Sequence, residues 1–185
     1  VVNLENPFDV MLNMIAAERP LEISKDEFVG VGVSHALWGL MKFYFKSNDA
    51  ICFSTGINIR KNMGKKYELE WDHIFPYSLL RDNGYSKNNR VKYSYAQEIT
   101  NRAVITQIAN RTKSNNMTEE YLEEVVNQFP NALKLQCIPE NNELWKLENF
   151  DEFLEKRRIL LANELNTFLE GITETSDDAI DMDLM

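Results

Sequence analysis

Asp72 and His73 close an alternating stretch, and Asn101 and Asn110 follow at fixed later positions, with Arg111 and Lys113 just beyond. Hydrolysis of a phosphodiester near neutral pH calls for residues of this kind. A water must lose a proton, charge on the phosphate oxygens must be stabilised, and the leaving oxygen must be assisted. Asp72 offers a hard anionic oxygen suited to Mg²⁺ or Mn²⁺. Asn110 can give a neutral carbonyl oxygen to the same ion. Two protein ligands leave positions open for water and phosphate. His73 carries an imidazole, the side-chain class that serves as a general base near neutrality. Asn101 is better placed to pin a loop by hydrogen bonds than to touch metal. Lys113 lies three residues after Asn110, on nearly the same face of a helix, and can contact the phosphate, Arg111 less directly.

Taken singly, each of these residues is ordinary. Asp-His pairs are common, and Asp72 alone could simply orient a surface histidine. The register of Asn101, Asn110 and Lys113 with that pair favours the chemical reading. His35 lies in an apolar stretch near Trp38 and reads as a satisfied core histidine rather than a ligand. Trp71, Tyr77, Trp145, Tyr93 and Tyr95 read as packing residues, with DNA contact by Tyr93 as the lesser reading. Lys65 and Lys66 fit a phosphate contact or a solvated strand start equally well. Asn115 and Asn116 read as the end of a helix.

The elements that must position these residues can be read from periodicity. Phe8, Met11, Leu12 and Ile15 recur at helical spacing over 8–17, behind Asn6 and Pro7. Residues 31–45 form a second, strongly apolar and buried helix. Phe53 to Gly56 is a turn. Tyr67, Leu69 and Trp71 then alternate with Glu68, Glu70 and Asp72, a half-buried strand running into the site. For Asp72 and His73 to face one phosphate, the chain must leave the strand here, since neighbouring strand residues point oppositely. A short helix starts near Pro76. Residues 81–95 are polar and read as a long loop. Residues 103–106 form a second strand, 107–114 a short helix, and 118–129 a helix capped by Thr118, Glu119 and Glu120. Residues 150–169 form a long amphipathic helix with Phe153, Leu154, Ile159, Leu161, Leu165 and Phe168 on or near its apolar side. The tail from Thr173 carries four aspartates and a glutamate without periodicity and reads as disordered. The fold class is α+β, mostly α: strand–loop–strand–helix embedded between helices.

Composition bounds the function. The chain has 185 residues, 44% hydrophobic and 26% charged, enough for one core-forming domain. No apolar run reaches membrane-spanning length, so no membrane partner is expected. Cys52 and Cys137 form no CxxC pair, which points to reduced thiols and a cytoplasmic setting. With only two Cys and two His in the chain, a four-ligand zinc site is not expected. The net charge of −9 hides an uneven distribution. Residues 58–116 hold eleven Lys/Arg and five acids, a net +6, and the remainder carries −15. A basic segment that coincides with the candidate site suggests a polyanionic partner. The chain begins Val1-Val2, which reads as part of a longer protein.

The wording "DHIFP…TN…NRTKSNN" resembles the HNH (ββα-metal) endonuclease domain of CRISPR effector nucleases, with matching spacing between Asn101 and Asn110. The blocks "FSTG", "WDHIFPYSLL", "ANRTKSNNMTEEYL" and "LWKLENFDEFLEKRRILLANELNTFLE" are similar to the C-terminal nuclease domain of GmrSD-type restriction and phage-defence proteins. The resemblance covers about 6–169. It implies a nuclease domain over 1–172, with its ββα-metal core at about 67–116, flanking helices at 7–46 and 118–170, and an acidic tail at 173–185. It implies metal-dependent cleavage or nicking of DNA, with modified phage DNA among the expected substrates. His73 would be the base, Asp72 and Asn110 the metal ligands, and Asn101 the scaffold residue. An upstream nucleotide-binding or modification-sensing domain and a homo-oligomer are further expectations. Asn110 stands where the pattern often has a second histidine, which moves the expected ion from Zn²⁺ toward Mg²⁺. The alternative from another class is a non-cleaving DNA or protein interaction module that keeps the site's shape.

Overall fold

Two short strands cannot bury a core by themselves, so the helices around them must supply one. The computed structural model describes residues 22–53, 55–59, 69–106 and 117–182. Within these, β1 (Leu69–His73) and β2 (Arg102–Thr106) pair antiparallel, with Trp71 opposite Val104 and His73 opposite Arg102. The helices are α1 (Ala36–Ser47), α2 (Tyr77–Asp82), α3 (Arg90–Ala96), α4 (Thr118–Gln128), α5 (Ala132–Leu135) and α6 (Phe150–Met182). The class is α+β, mostly α. No described helix is long and apolar enough to cross a membrane.

Each side of the ladder faces its own apolar cluster. Val104 and Trp71 pack with Trp38, Met41 and Phe45 of α1 and with Leu161 and Leu165 of α6. Ala103 and the residues after β1, Ile74 and Phe75, pack with Tyr121, Leu122 and Val125 of α4 and with Phe150, Phe153 and Leu154 of α6. Helix α6 therefore spans both clusters. Its inward residues follow the helical repeat: Phe150, Phe153, Leu154, Arg157, Arg158, Leu161, Ala162 and Leu165 are all buried.

Two positions of that stripe are arginines, and neither is left without acceptors. Arg157 is fully buried. Its Nη1 donates to Thr100 O (2.6 Å) and Arg102 O (2.8 Å), its Nη2 to Gln136 O (3.0 Å) and its Nε to Cys137 O (3.3 Å). Burial pulls its pKa down to about 9, and the carbonyl dipoles are what make a charge tolerable there. Arg158 forms a two-pronged pair with the fully buried Glu98, at 2.8 Å on each oxygen. Glu98 also accepts from Gly30 N–H (2.7 Å) and from the Thr100 hydroxyl. Gln136 completes the arrangement. Its Oε1 accepts from Val104 N–H (2.7 Å), while its Nε2 donates to Val104 O (2.9 Å) and Ile51 O (3.0 Å).

Several boundaries differ from the sequence expectations. The second helix starts at Ala36, not at residue 31. Gly30 takes a left-handed φ of 69°, and Val31 O accepts from Ile99 N–H (2.8 Å), so this stretch is committed to a loop. His35 is an exposed N-cap whose Nδ1 accepts from Leu37 N–H (3.3 Å), rather than a core histidine. The polar segment 81–95 is not all loop. Asn89 Oδ1 accepts from Lys92 N–H (3.1 Å) and starts α3. Helix α4 follows Met117, which gives no side-chain cap. Helix α6 runs to Met182, through most of the stretch expected to be a disordered tail. A helix already nucleated extends at little cost where no proline intervenes. The expected helices at 8–17 and 107–114 lie outside the described residues. Of the turn expected at 53–56, Ser54 lies outside the described residues; Gly56 has φ 62° and its N–H donates to Cys52 O (3.0 Å). A Cβ there would come within 2.5 Å of the Phe129 ring, so only glycine fits.

Two expected outcomes follow from this packing. Replacing Arg157 by methionine fills similar space but leaves buried carbonyls without donors. Urea denaturation should show a loss of about 3 kcal/mol or more. A loss below about 1 kcal/mol would mean that the carbonyls find other donors. The second outcome concerns the free, buried thiol of Cys137. Burial pushes its pKa from 9.0 up to about 11. Above pH 9 the unfolded chain gives up this proton first, so stability falls as pH rises from 9 to 11. Cys137→Ala should reduce the loss measured between pH 8 and pH 10.5 by about 2 kcal/mol.

Candidate functional site

The site is built where β1 ends. Ile74 N–H still pairs with Asn101 O (2.8 Å), but the chain then turns through Phe75 into Pro76, whose extended ψ of 132° sets up α2. One side chain holds this turn. Asn101 is fully buried. Its Oδ1 accepts from Phe75 N–H (3.0 Å), and its Nδ2 donates to Phe75 O (3.2 Å) and Ala96 O (3.1 Å). The amide thus copies a strand partner for Phe75 at the point where the backbone ladder stops. Asn101 itself closes a short 3-10 turn, Ile99–Asn101, instead of opening β2.

Asp72 and His73 are still paired within β1, with Ala103 and Arg102, so the expected departure from the strand comes only after them. His73 Nδ1 lies 3.7 Å from Asp72 Oδ1. The Asp72 side chain is 31% exposed and that of His73 is 14% exposed, with the His73 Nε2 buried. Tyr77, in the first turn of α2, lays its ring at 30° to the His73 imidazole with centroids 6.0 Å apart. Tyr93 of α3 meets Tyr77 edge-on, also at 6.0 Å. Tyr95 lies elsewhere, with the Arg158 guanidinium 5.3 Å from its ring centroid. Trp71 and Trp145 are packing residues, as expected: Trp71 is edge-on to Trp38 at 4.6 Å, and Trp145 Nε1 donates to Pro139 O (2.8 Å).

The electrostatics around Asp72 are mixed. Burial pushes the Arg102 guanidinium below its ordinary value, and the Asp72 charge opposes that shift. Tyr121 is held well above the usual phenol range, chiefly by burial, then by Cys52 and by Asp72. The Asp72 carboxylate is the described oxygen donor that a divalent ion could use. Among the described residues there is no group of three or more His, Cys, Asp or Glu that could hold a metal. The expected second ligand, Asn110, and the expected phosphate contacts, Arg111 and Lys113, lie outside the described residues. The structure therefore brings together Asp72, His73 and Asn101 of the predicted set. It adds Tyr77 and Arg102, which sequence reading did not assign to the site. The sequence signal for Arg102 was its place immediately after Asn101, directly across from His73 once the strands pair.

No family model, curated protein or solved structure matches this chain.

Asn101→Ala removes one acceptor and two donors from a fully buried turn. It should lower stability by about 2–4 kcal/mol in urea denaturation. Asn101→Asp keeps the acceptor for Phe75 N–H but faces two carbonyl oxygens with a carboxylate, and should be no better than alanine. Equal stability of Asn101→Asp and wild type would show that the amide donors do not hold the turn.

Proposed function

We propose that this chain is a metal-dependent DNA endonuclease of the ββα-metal (HNH) type, cutting or nicking foreign or phage DNA. The observation that carries the reading is the strand end. A histidine and a carboxylate stand 3.7 Å apart at the end of β1, directly before a turn fixed by a buried asparagine. Catalytic geometry needs such support, because a loosely held base loses much of its effect. The net +6 over 58–116 supports a polyanionic substrate against the −15 of the rest.

In this reading His73 accepts the proton of the attacking water. Asp72, together with Asn110, holds a divalent ion. Mg²⁺ or Mn²⁺ suits their hard oxygen donors. When bound, that ion supplies charge stabilisation at the phosphate oxygens. Lys113, aided by Arg111, offers further positive charge to the substrate. Asn101 acts through the backbone, holding the turn that directly follows His73. Tyr77 flanks the imidazole and restricts its ring.

A supercoiled-plasmid assay with Mg²⁺, Mn²⁺ or EDTA tests this. Wild type should give nicked or linear product with metal and none with EDTA. His73→Ala should lower the rate at least about a hundredfold with folding unchanged by circular dichroism. Undiminished cleavage by that variant would overturn the assignment of His73. Binding of DNA with no cleavage under any divalent ion would favour a non-cleaving interaction module.

A further inference from the structure

The face of the ladder that carries His73 also carries a cation with no assigned work. His73 and Arg102 are directly opposed in the register. Ile74 N–H pairs with Asn101 O on the next rung, so the His73–Arg102 rung is a non-hydrogen-bonded one. Rungs of that kind bring opposed side chains closest. The Arg102 side chain reaches Trp71 O on β1 with Nη1 (3.2 Å), and its Nη2 donates to Gln97 Oε1 (3.2 Å). These two contacts use two of the five N–H donors of a guanidinium. The Nε is buried and has no hydrogen-bond partner.

The other two inward arginines show what a satisfied guanidinium looks like in this fold. Arg157 has four carbonyl contacts, and Arg158 grips the Glu98 carboxylate. Arg102 has only two neutral acceptors. Among the described residues no carboxylate stands within ion-pair distance of it. A part-buried charge without a counterion is costly unless something else supplies the anion. Asp72 acts on Arg102 only across a longer gap, and Asp72 is the residue assigned to a cation. The guanidinium is therefore positioned, incompletely satisfied and beside the proposed base.

We propose that Arg102 is a phosphate-binding residue of the His73 site, its guanidinium donating to a non-bridging oxygen of the phosphodiester presented to His73. The planar fork of arginine suits phosphate oxygens and keeps its charge when part-buried. Trp71 O and Gln97 hold the fork so that little side-chain freedom is lost on binding. This inference rests on the DNA reading of the same site.

The test is fluorescence anisotropy of a short labelled DNA duplex, without divalent ion, at several NaCl concentrations. Arg102→Gln should weaken binding several-fold. It should also lower the slope of log Kd against log[NaCl] by about 0.9, the value of one lost phosphate contact. Arg102→Lys should restore the slope. A folded Arg102→Gln protein with unchanged slope would overturn the assignment, because a purely structural arginine changes stability and not counterion release. If the glutamine variant does not fold, the wild type decides by NMR. The Arg102 Nε–H signal should shift on adding the duplex while that of Arg157 stays in place, and an unmoved Arg102 signal would overturn the proposal. A wild-type chain that neither binds nor cuts DNA would defeat the nuclease reading, and this one with it. Wild-type binding with a silent Arg102 defeats this one alone.

Discussion

A fully buried guanidinium with no carboxylate beside it is the constraint around which this fold is arranged. Arg157 must find acceptors or carry a heavy desolvation cost. It finds them in the carbonyls of Thr100, Arg102, Gln136 and Cys137. Two of these flank Asn101 in sequence, and the other two lie in the turn after α5. One side chain on the longest helix thus ties together the start of β2 and the return of the chain toward α6. The neighbouring Arg158–Glu98 pair fixes the segment just before, and Glu98 in turn holds Gly30.

The consequence for the candidate site is an unbroken line of support. Arg157 fixes the backbone on both sides of Asn101. The Asn101 side chain then fixes Phe75, and Phe75 packs its ring on Phe150 and Phe153, at 5.0 and 4.9 Å between centroids. Those two aromatics lie on the same helix as Arg157. Helix α6 therefore grips the turn after His73 twice, once through polar contacts on β2 and once through rings. His73 stands at the start of a turn held at both ends, a better basis for fixed geometry than a free loop.

The strands and the turn between His73 and Pro76 were legible because alternation, a motif and a proline agreed over a few residues. Asn101 as a loop pin was legible for the same reason: an asparagine before a strand has few other uses. The long helix was legible from its period, but its content was not. Arg157 and Arg158 occupy the i+7 and i+8 places of the stripe that begins at Phe150. A hydropathy pattern discards charged residues there, although the spacing alone marks them as inward. Helix α3 was missed because Asn89 and its neighbours carry turn residues, and one of those asparagines serves as a cap. His35 was misplaced because the apolar period around it was started too early. The Arg102–His73 opposition depends on strand register, which no single segment encodes.

Gln136 gives the small sheet a property of its own. Because its amide occupies both outward-facing groups of Val104, no further strand can add to β2 at that point. Arg102 does likewise for Trp71 O on the other border. A two-stranded ladder usually invites an extended partner to lengthen it. Here one rung on each border, Val104 on β2 and Trp71 O on β1, is already taken by a side chain of the chain itself. Any macromolecule that engages this region is thereby directed to the open end of the ladder, where the chain turns at His73, and not along its flanks.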